Sequence, residues 1–195
     1  MKVILGSASA KRKILLEQAD IKIDAVITPD LDEKAIREKD HLKLVQLLAN
    51  AKRDALLLRI KEPALLITAD TILFRGDDLF EKPVSDEEER MVLKAYDGKT
   101  PFGFATAITV TNLATKETRE GLDVGELVMG PFNDTFIERY IQKGTYKQYA
   151  GGFTYMDPEF PPAIKSLKGE TDTLMGMPVA LCKKLLKELG WEEGK

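Results

Sequence analysis

Residues 64–74 run Ala64-Leu65-Leu66-Ile67-Thr68-Ala69-Asp70-Thr71-Ile72-Leu73-Phe74. The stretch from Ala64 to Ala69 follows Pro63 and carries no charge. Such a run suits a strand buried on both faces of a sheet. Thr71 to Phe74 continue it, and Gly76-Asp77-Asp78 reads as the turn of a hairpin. Asp70 is out of place in a buried strand unless it serves at a strand end. It either caps the strand through an Asx turn or does chemistry. An aspartate there could hold Mg²⁺ or accept a proton from water.

Towards the N-terminus, Leu44, Leu47, Leu48, Ala51, Ala55 and Leu58 recur at steps of three and four, so a helix spans about 42–60. Ala25 to Thr28 before Pro29 reads as a strand, and Val3-Ile4-Leu5 as the first strand. Ser9 is placed as the N-cap of a helix carrying Ile14, Leu15 and Leu16. Towards the C-terminus, Ser85 and Glu88 form a capping-box pattern whose helix ends near Tyr96-Asp97-Gly98. Residues 104–110 and 117–124 read as strands, 134–142 as a helix stopped by Gly144, and Pro178 opens a last helix to Leu189. Strands alternating with helices predict an α/β fold. The hairpins predict a mixed, twisted sheet with flanking helices.

The chain of 195 residues has 29 basic and 32 acidic side chains, a formal net charge of −3. That length, 1–195, suits one large domain or two closely joined lobes. The slightly acidic balance argues against broad nucleic-acid or membrane binding. No apolar run reaches the ~18 residues of a membrane span. The apolar start, Val3 to Gly6, is too short for a signal-peptide core, so a cytoplasmic protein is expected. One cysteine, Cys182, excludes an internal disulfide framework and a Cys-rich zinc site. One histidine, His41, excludes a histidine metal cluster.

Polar residues collect at three more places. Gly6-Ser7-Ala8-Ser9-Ala10-Lys11-Arg12 is a strand, a small-residue loop and a helix start with two cations. Small residues let backbone N–H groups approach an anion, and the helix terminus adds positive charge. This is either a phosphate cradle or a capped helix with exposed basic residues; the Walker A spacing is absent. Asp32-Glu33 reads by itself as a solvated turn, and Lys82 in Glu81-Lys82-Pro83 as a solvated lysine. Lys52, within the 42–60 helix, reads by itself as an exposed position. Together these sites match what a nucleoside triphosphate needs. Lys11, Arg12, Lys52 and Lys82 supply cations, while Glu33 and Asp70 supply acids for a divalent metal and a base for water.

The chain resembles the Maf nucleotide pyrophosphatases. The stretch Leu5 to Leu16 is similar to the family's S-x-S-P-R-R-x-x-L-L signature. Asp32-Glu33 is similar to its D-E, Leu48-Ala49-Asn50-Ala51-Lys52 to its L-A-x-x-K, Ala69-Asp70-Thr71 to its A-D-T, and Glu81-Lys82-Pro83 to its G-K-P. Tyr96-Asp97-Gly98, Thr106-Ala107, Ala150-Gly151-Gly152-Phe153 and Gly176-Met177-Pro178 follow in the family's order. The resemblance implies an elongated, two-lobed α/β fold with a central cleft, related to inosine triphosphate pyrophosphatases. It implies hydrolysis of nucleoside triphosphates to monophosphate and pyrophosphate with Mg²⁺, Mn²⁺ or Co²⁺, a homodimer, and a link to arrest of cell division. It implies Asp70 as general base, Ser7, Arg12, Glu33, Lys52 and Lys82 around the phosphates and metal, and Thr71 as the mark of the dTTP- and UTP-preferring branch.

Several positions depart from the pattern. The family's Pro-Arg-Arg is Ala10-Lys11-Arg12, so Lys11 keeps a charge and loses the guanidinium fork. Its D-K-A-G is Gln148-Tyr149-Ala150-Gly151, and its I-Q-G is Tyr155-Met156-Asp157, without the base-reading glutamine. Asp157 or Glu159 is a candidate replacement contact. Tyr149, Phe153 and Tyr155 are either base-stacking surfaces or buried core. Two other functions stay open: an inosine/xanthosine triphosphate pyrophosphatase, and a nucleotide-binding regulator of cell division with weak turnover.

Overall fold

The structure is a computed structural model describing residues 1–192. Strand β1 (Val3–Gly6), helix α1 (Ala10–Gln18), strand β2 (Ala25–Val26) and helix α2 (His41–Leu57) open the chain. Then come β3 (Leu65–Arg75), β4 (Asp78–Leu79), α3 (Asp86–Ala95), β5 (Phe102–Asn112), β6 (Thr118–Met129) and α4 (Asp134–Lys143). Short 3-10 turns lead to β7 (Ile164–Lys168), α5 (Thr171–Leu174) and α6 (Val179–Glu188).

One sheet holds the strands in the order β2-β1-β3-β5-β6-β7, with β4 on β3. β1 pairs in parallel with β2 and β3, and the remaining pairs are antiparallel. The expected mixed α/β sheet is what forms. The uncharged run of β3 is buried on both faces because layers cover each side. On one side Leu16 of α1, Leu186 of α6 and Trp191 just beyond α6 pack against Leu5, Ile67 and Val110. On the other, α2 sets Val45 and Ala49 against Ile72, Ala105 and Ala107. A separate aromatic core, including Tyr96, Phe102, Phe104, Tyr140 and Phe160, fills the end of the sheet covered by α3 and α4.

The register decides where chemistry can sit. β1 stops at Gly6, opposite Thr68, while β3 continues to Arg75. β4 takes up the same edge only at Phe74, opposite Leu79. Between them the edge of β3 is open, and Asp70 and Thr71 lie in that gap.

Local expectations hold with particular exceptions. Ser85 Oγ accepts from Glu88 N at 3.2 Å, as the capping box predicts, but the Glu88 carboxylate reaches Val84 N instead of closing the box. Ser9 occupies the N-cap position of α1 and makes no side-chain cap; its own N–H donates to Ser7 Oγ at 3.1 Å. The predicted 25–28 strand is only Ala25–Val26. β7 escapes sequence reading because Ile164–Lys168 is a half-exposed edge strand with little apolar alternation. Among the described residues no helix is long and apolar enough to cross a membrane.

Candidate functional site

A cavity of about 470 Å³ lies at the open edge of β3. Its walls come from the start of α1, the Leu31–Arg37 segment, α2, the Phe80–Val84 connection, residues 148–155 and the turn before α6. Side chains alternate across a strand. Asp70 therefore meets α2 on one face, and Thr71 meets Arg12 of α1 on the other.

Asp70 is buried and bonded to Lys52 Nζ, itself only 8% exposed. The same ammonium stands 3.2 Å from Glu33 Oε1. Lys52 is thus no solvated helix lysine; an ion pair with two carboxylates permits its burial. The Asp32-Glu33 pair divides its work. The Asp32 side chain accepts from Lys34 N at 3.1 Å and caps a 3-10 turn, which turns Glu33 towards Lys52. Burial pushes the Asp70 carboxyl up from its ordinary value, while Lys52 and Arg12 pull it back down.

Arg12 joins three separate segments. Its Nε donates to Gly176 O at 2.8 Å, Nη1 to Ser7 Oγ at 3.2 Å and Nη2 to Thr71 Oγ1 at 3.1 Å. A side chain at Gly176, which has φ +97°, would collide with Thr71 Oγ1 and touch the guanidinium. A guanidinium has five N–H groups, so two remain, one on each terminal nitrogen. Arg12 lines the cavity, whereas Ser7 does not; Ser7 stands behind it and orients Arg12 and the loop.

The hydroxyl protons behind Arg12 can be assigned by counting. Thr106 Oγ1 donates to Thr173 O at 2.7 Å and so has no proton left for Thr71, 3.0 Å away. Thr71 therefore donates to Thr106 and accepts from Arg12. Thr71, expected to mark base preference, is occupied in holding Arg12.

Lys11 Nζ lies 3.8 Å above the Tyr149 ring and donates to Thr154 Oγ1 at 3.3 Å. Burial, followed by the charges of Arg12 and Lys82, pushes its ammonium down to about 8. Lys82 is exposed at the cavity mouth. All four expected cations therefore line one space with Glu33, Asp70 and Thr71.

The expected base-side replacements are corrected. Asp157 and Glu159 pair with Lys143, and Glu159 also with Arg139; neither lines the cavity. The Tyr149 face is covered by Lys11. Phe153 belongs to the aromatic core and shows an edge to the cavity, and Tyr155 lines it half-buried. Sequence reading missed Lys34, Arg37, Glu88 and Gln148 as lining residues. Only the regular spacing of Glu88 after Ser85 carried a signal, and it pointed to capping.

Glu33 and Asp70 converge on one ammonium, and no group of three or more His, Cys, Asp or Glu side chains forms a metal cluster among the described residues. Two hard oxygen donors without a third suit a Mg²⁺-like ion that completes its shell with phosphate oxygens and water. The donor set fits such an ion.

The architecture is of the Ham1 type. A HAM1 protein from Coxiella burnetii superposes with a TM-score of 0.51 at 14% identity, over 96% of this chain and 99% of that one. Within that fold class the sequence places the chain more narrowly: the model of the Maf family (Maf-like protein) matches residues 2–189. The chain belongs to the Maf family. It is 32% identical over 194 residues to a 7-methyl-GTP pyrophosphatase from Dictyostelium discoideum, covering 96% of each chain. It is 30% identical over 191 residues to a dTTP/UTP pyrophosphatase from Parabacteroides distasonis, covering 96% of this chain and 94% of that one.

Proposed function

We propose that the protein is a nucleoside triphosphate pyrophosphatase, converting a nucleoside triphosphate and water to the monophosphate and pyrophosphate. The observation that carries this reading is the convergence of Lys11, Arg12, Lys52 and Lys82 on one cavity that also holds a buried carboxylate at an open strand edge. The named relatives act on triphosphates of this kind.

On this reading Lys11, Lys82 and the two free N–H groups of Arg12 grip the phosphates. Asp70 accepts the proton of a water whose oxygen attacks the α-phosphorus, and pyrophosphate departs with the electrons of the broken P–O bond. Lys52 fixes the Asp70 oxygen that is not the base and favours the ionised carboxylate against the burial that raises it. Glu33 and Asp70 would hold a divalent cation such as Mg²⁺, Mn²⁺ or Co²⁺, which when bound neutralises phosphate charge and eases departure of the leaving group. Catalysis is then chiefly positioning and charge neutralisation.

The dTTP/UTP pyrophosphatase relative favours dTTP and UTP as substrates, and the 7-methyl-GTP pyrophosphatase relative adds 7-methyl-GTP as the modified-purine case. Pyrophosphate release with Mg²⁺ and with Mn²⁺, across dTTP, UTP, CTP, ITP, XTP and 7-methyl-GTP, tests this. Turnover of dTTP and UTP is the expected result. Release confined to ITP and XTP would replace this reading with an inosine/xanthosine enzyme. Binding without release would replace it with a nucleotide-binding regulator.

A pH dependence follows from Lys11. A polyphosphate binds better to the ammonium, so KM rises as pH climbs through about 8 in the free protein. The slope approaches about tenfold per pH unit at most. Lys11→Arg restores a permanently charged guanidinium, which also stacks on Tyr149, and should flatten KM up to about pH 10. Identical KM–pH profiles for the two proteins would remove Lys11 from the phosphate site.

A further inference from the structure

Glu89 lies on α3, one residue from the cavity-lining Glu88, and points the other way, into the aromatic core. It is 0% exposed, and neither carboxyl oxygen has a hydrogen-bond partner among the described residues. A side chain added at Gly152, φ +73°, would collide with its carboxyl group. The Gly151-Gly152 turn therefore rests directly on Glu89.

The same turn is held from two further directions. Tyr96 Oη, from just beyond α3, donates to Gly151 O at 2.9 Å. Gly151 N donates to Phe80 O at 3.1 Å and Glu81 O at 3.2 Å, immediately before Lys82. On either side of the turn stand Tyr149 and Thr154, the two partners of Lys11. α3 thus supports the wall against which Lys11 is set.

We infer that Glu89 is a positioning residue: as an uncharged carboxylic acid it seats the Gly151-Gly152 turn, so that Tyr149 and Thr154 meet Lys11, and its ionisation unseats that wall. As a statement about polyphosphate binding, this rests on the function proposed above. Among the described residues the groups that face Glu89 contain no cation. They are Glu88 on its own helix, Tyr96 after that helix, Tyr140 of α4 and Tyr146 of the following turn. Burial, with Glu88 adding a little, pushes Glu89 up to about 9. An ionised carboxylate there would have neither solvent nor a partner.

Stability carries the sign. The folded state keeps the Glu89 proton between its unfolded value, 4.5, and about 9. Stability therefore falls as pH rises through that window and levels off above it. Glu89→Gln, neutral and of the same shape, should not share this decline.

The test reads the wall without a substrate and then with one. Carboxyl ¹³C and backbone amide NMR of the wild type should show Glu89 titrating near 9, with the amides of residues 149–154 shifting at the same inflection. Glu89→Gln should abolish that inflection. The second arm measures binding of inorganic tripolyphosphate by calorimetry from pH 7 to pH 10. The wild-type affinity should fall at least about threefold further than that of Glu89→Gln over this range, both proteins sharing the loss due to Lys11. Glu89→Ala, which removes the support at every pH, should shift the same amides already at pH 7. A Glu89 that titrates near 4.5, or wall amides indifferent to it, overturns the inference. Amides that follow Glu89 in a protein that binds no tripolyphosphate would leave the wall device standing and overturn the polyphosphate reading of the cavity.

Discussion

Asp70→Asn should lose about 10²- to 10⁴-fold in kcat for pyrophosphate release, the range typical of removing a positioned base. It should do so without weakening binding of the metal-free nucleotide. The substitution preserves shape in a site where Asp70 is 6% exposed and wedged against Lys52. The asparagine amide can still turn its oxygen to the Lys52 ammonium, and Glu33 remains 3.2 Å from the same atom. The fold therefore keeps a partner for its buried cation, and the melting temperature should move by only a few degrees. Removing one negative charge from an anion-binding cavity leaves ground-state affinity for the metal-free nucleotide equal or tighter. A fall in kcat beside an unchanged or lower KM would thus report lost chemistry and not lost binding. Full turnover by a folded Asp70→Asn would remove Asp70 from the role of base.

The parts of this site differ in how visible they are in the sequence, and the reason is physical. The strand bearing Asp70 was legible because an uncharged run after Pro63 has few other places to go than the middle of a sheet. The phosphate loop was legible because β1, a small-residue turn and α1 are contiguous. Lys52 was not legible alone. Its helix shows ordinary three-and-four periodicity, and only the distant Asp70 and Glu33 make its burial tolerable. Long-range pairing of that kind leaves no local trace; the resemblance to a family supplied it instead.

Glu89 shows the opposite case. Asp86-Glu87-Glu88-Glu89 reads as a solvated acidic first turn, which the helix N-terminus favours. Yet Glu89 stands three, four and seven residues before Val92, Leu93 and Tyr96, all buried. Those steps put it on the core face. The signal was present, and the charge run masked it. Asp157 and Glu159 misled in a different way: acids near a lost motif position looked like replacements, but Lys143 and Arg139 lie closer.

Arg12→Lys should be as damaging as the loss of Asp70, though for another reason, and should show in both stability and activity. Arg12 is 9% exposed, and its guanidinium bonds three segments: Ser7, Thr71 and Gly176. A lysine ammonium is a point donor on an unforked stem, so it cannot meet all three at once. At least one buried acceptor then loses its partner, at a cost of about 1–3 kcal/mol each. For a chain of this size that corresponds to a fall of roughly 2–12 °C in melting temperature. The Thr71–Thr106–Thr173 chain would feel it too. Thr71 Oγ1 already gives its proton to Thr106, so without Arg12 it faces the cavity as an acceptor with no donor. The functional loss is separate. Arg12 has two N–H groups left over, one on each terminal nitrogen, and these form a pair suited to two oxygens of one phosphate. Lysine keeps the charge and loses the pair, so kcat/KM should fall about 10²-fold, counting roughly 1.5–3 kcal/mol for the charged hydrogen bonds. Arg12→Ala with added guanidinium separates the two effects. Guanidinium entering the vacated space should restore part of the activity, while its tether to α1, and so the tie between α1 and the rest of the site, stays cut. An Arg12→Lys protein within threefold of wild-type kcat/KM would mean that Arg12 is only a structural tie and that Lys11, Lys52 and Lys82 hold the phosphates without it.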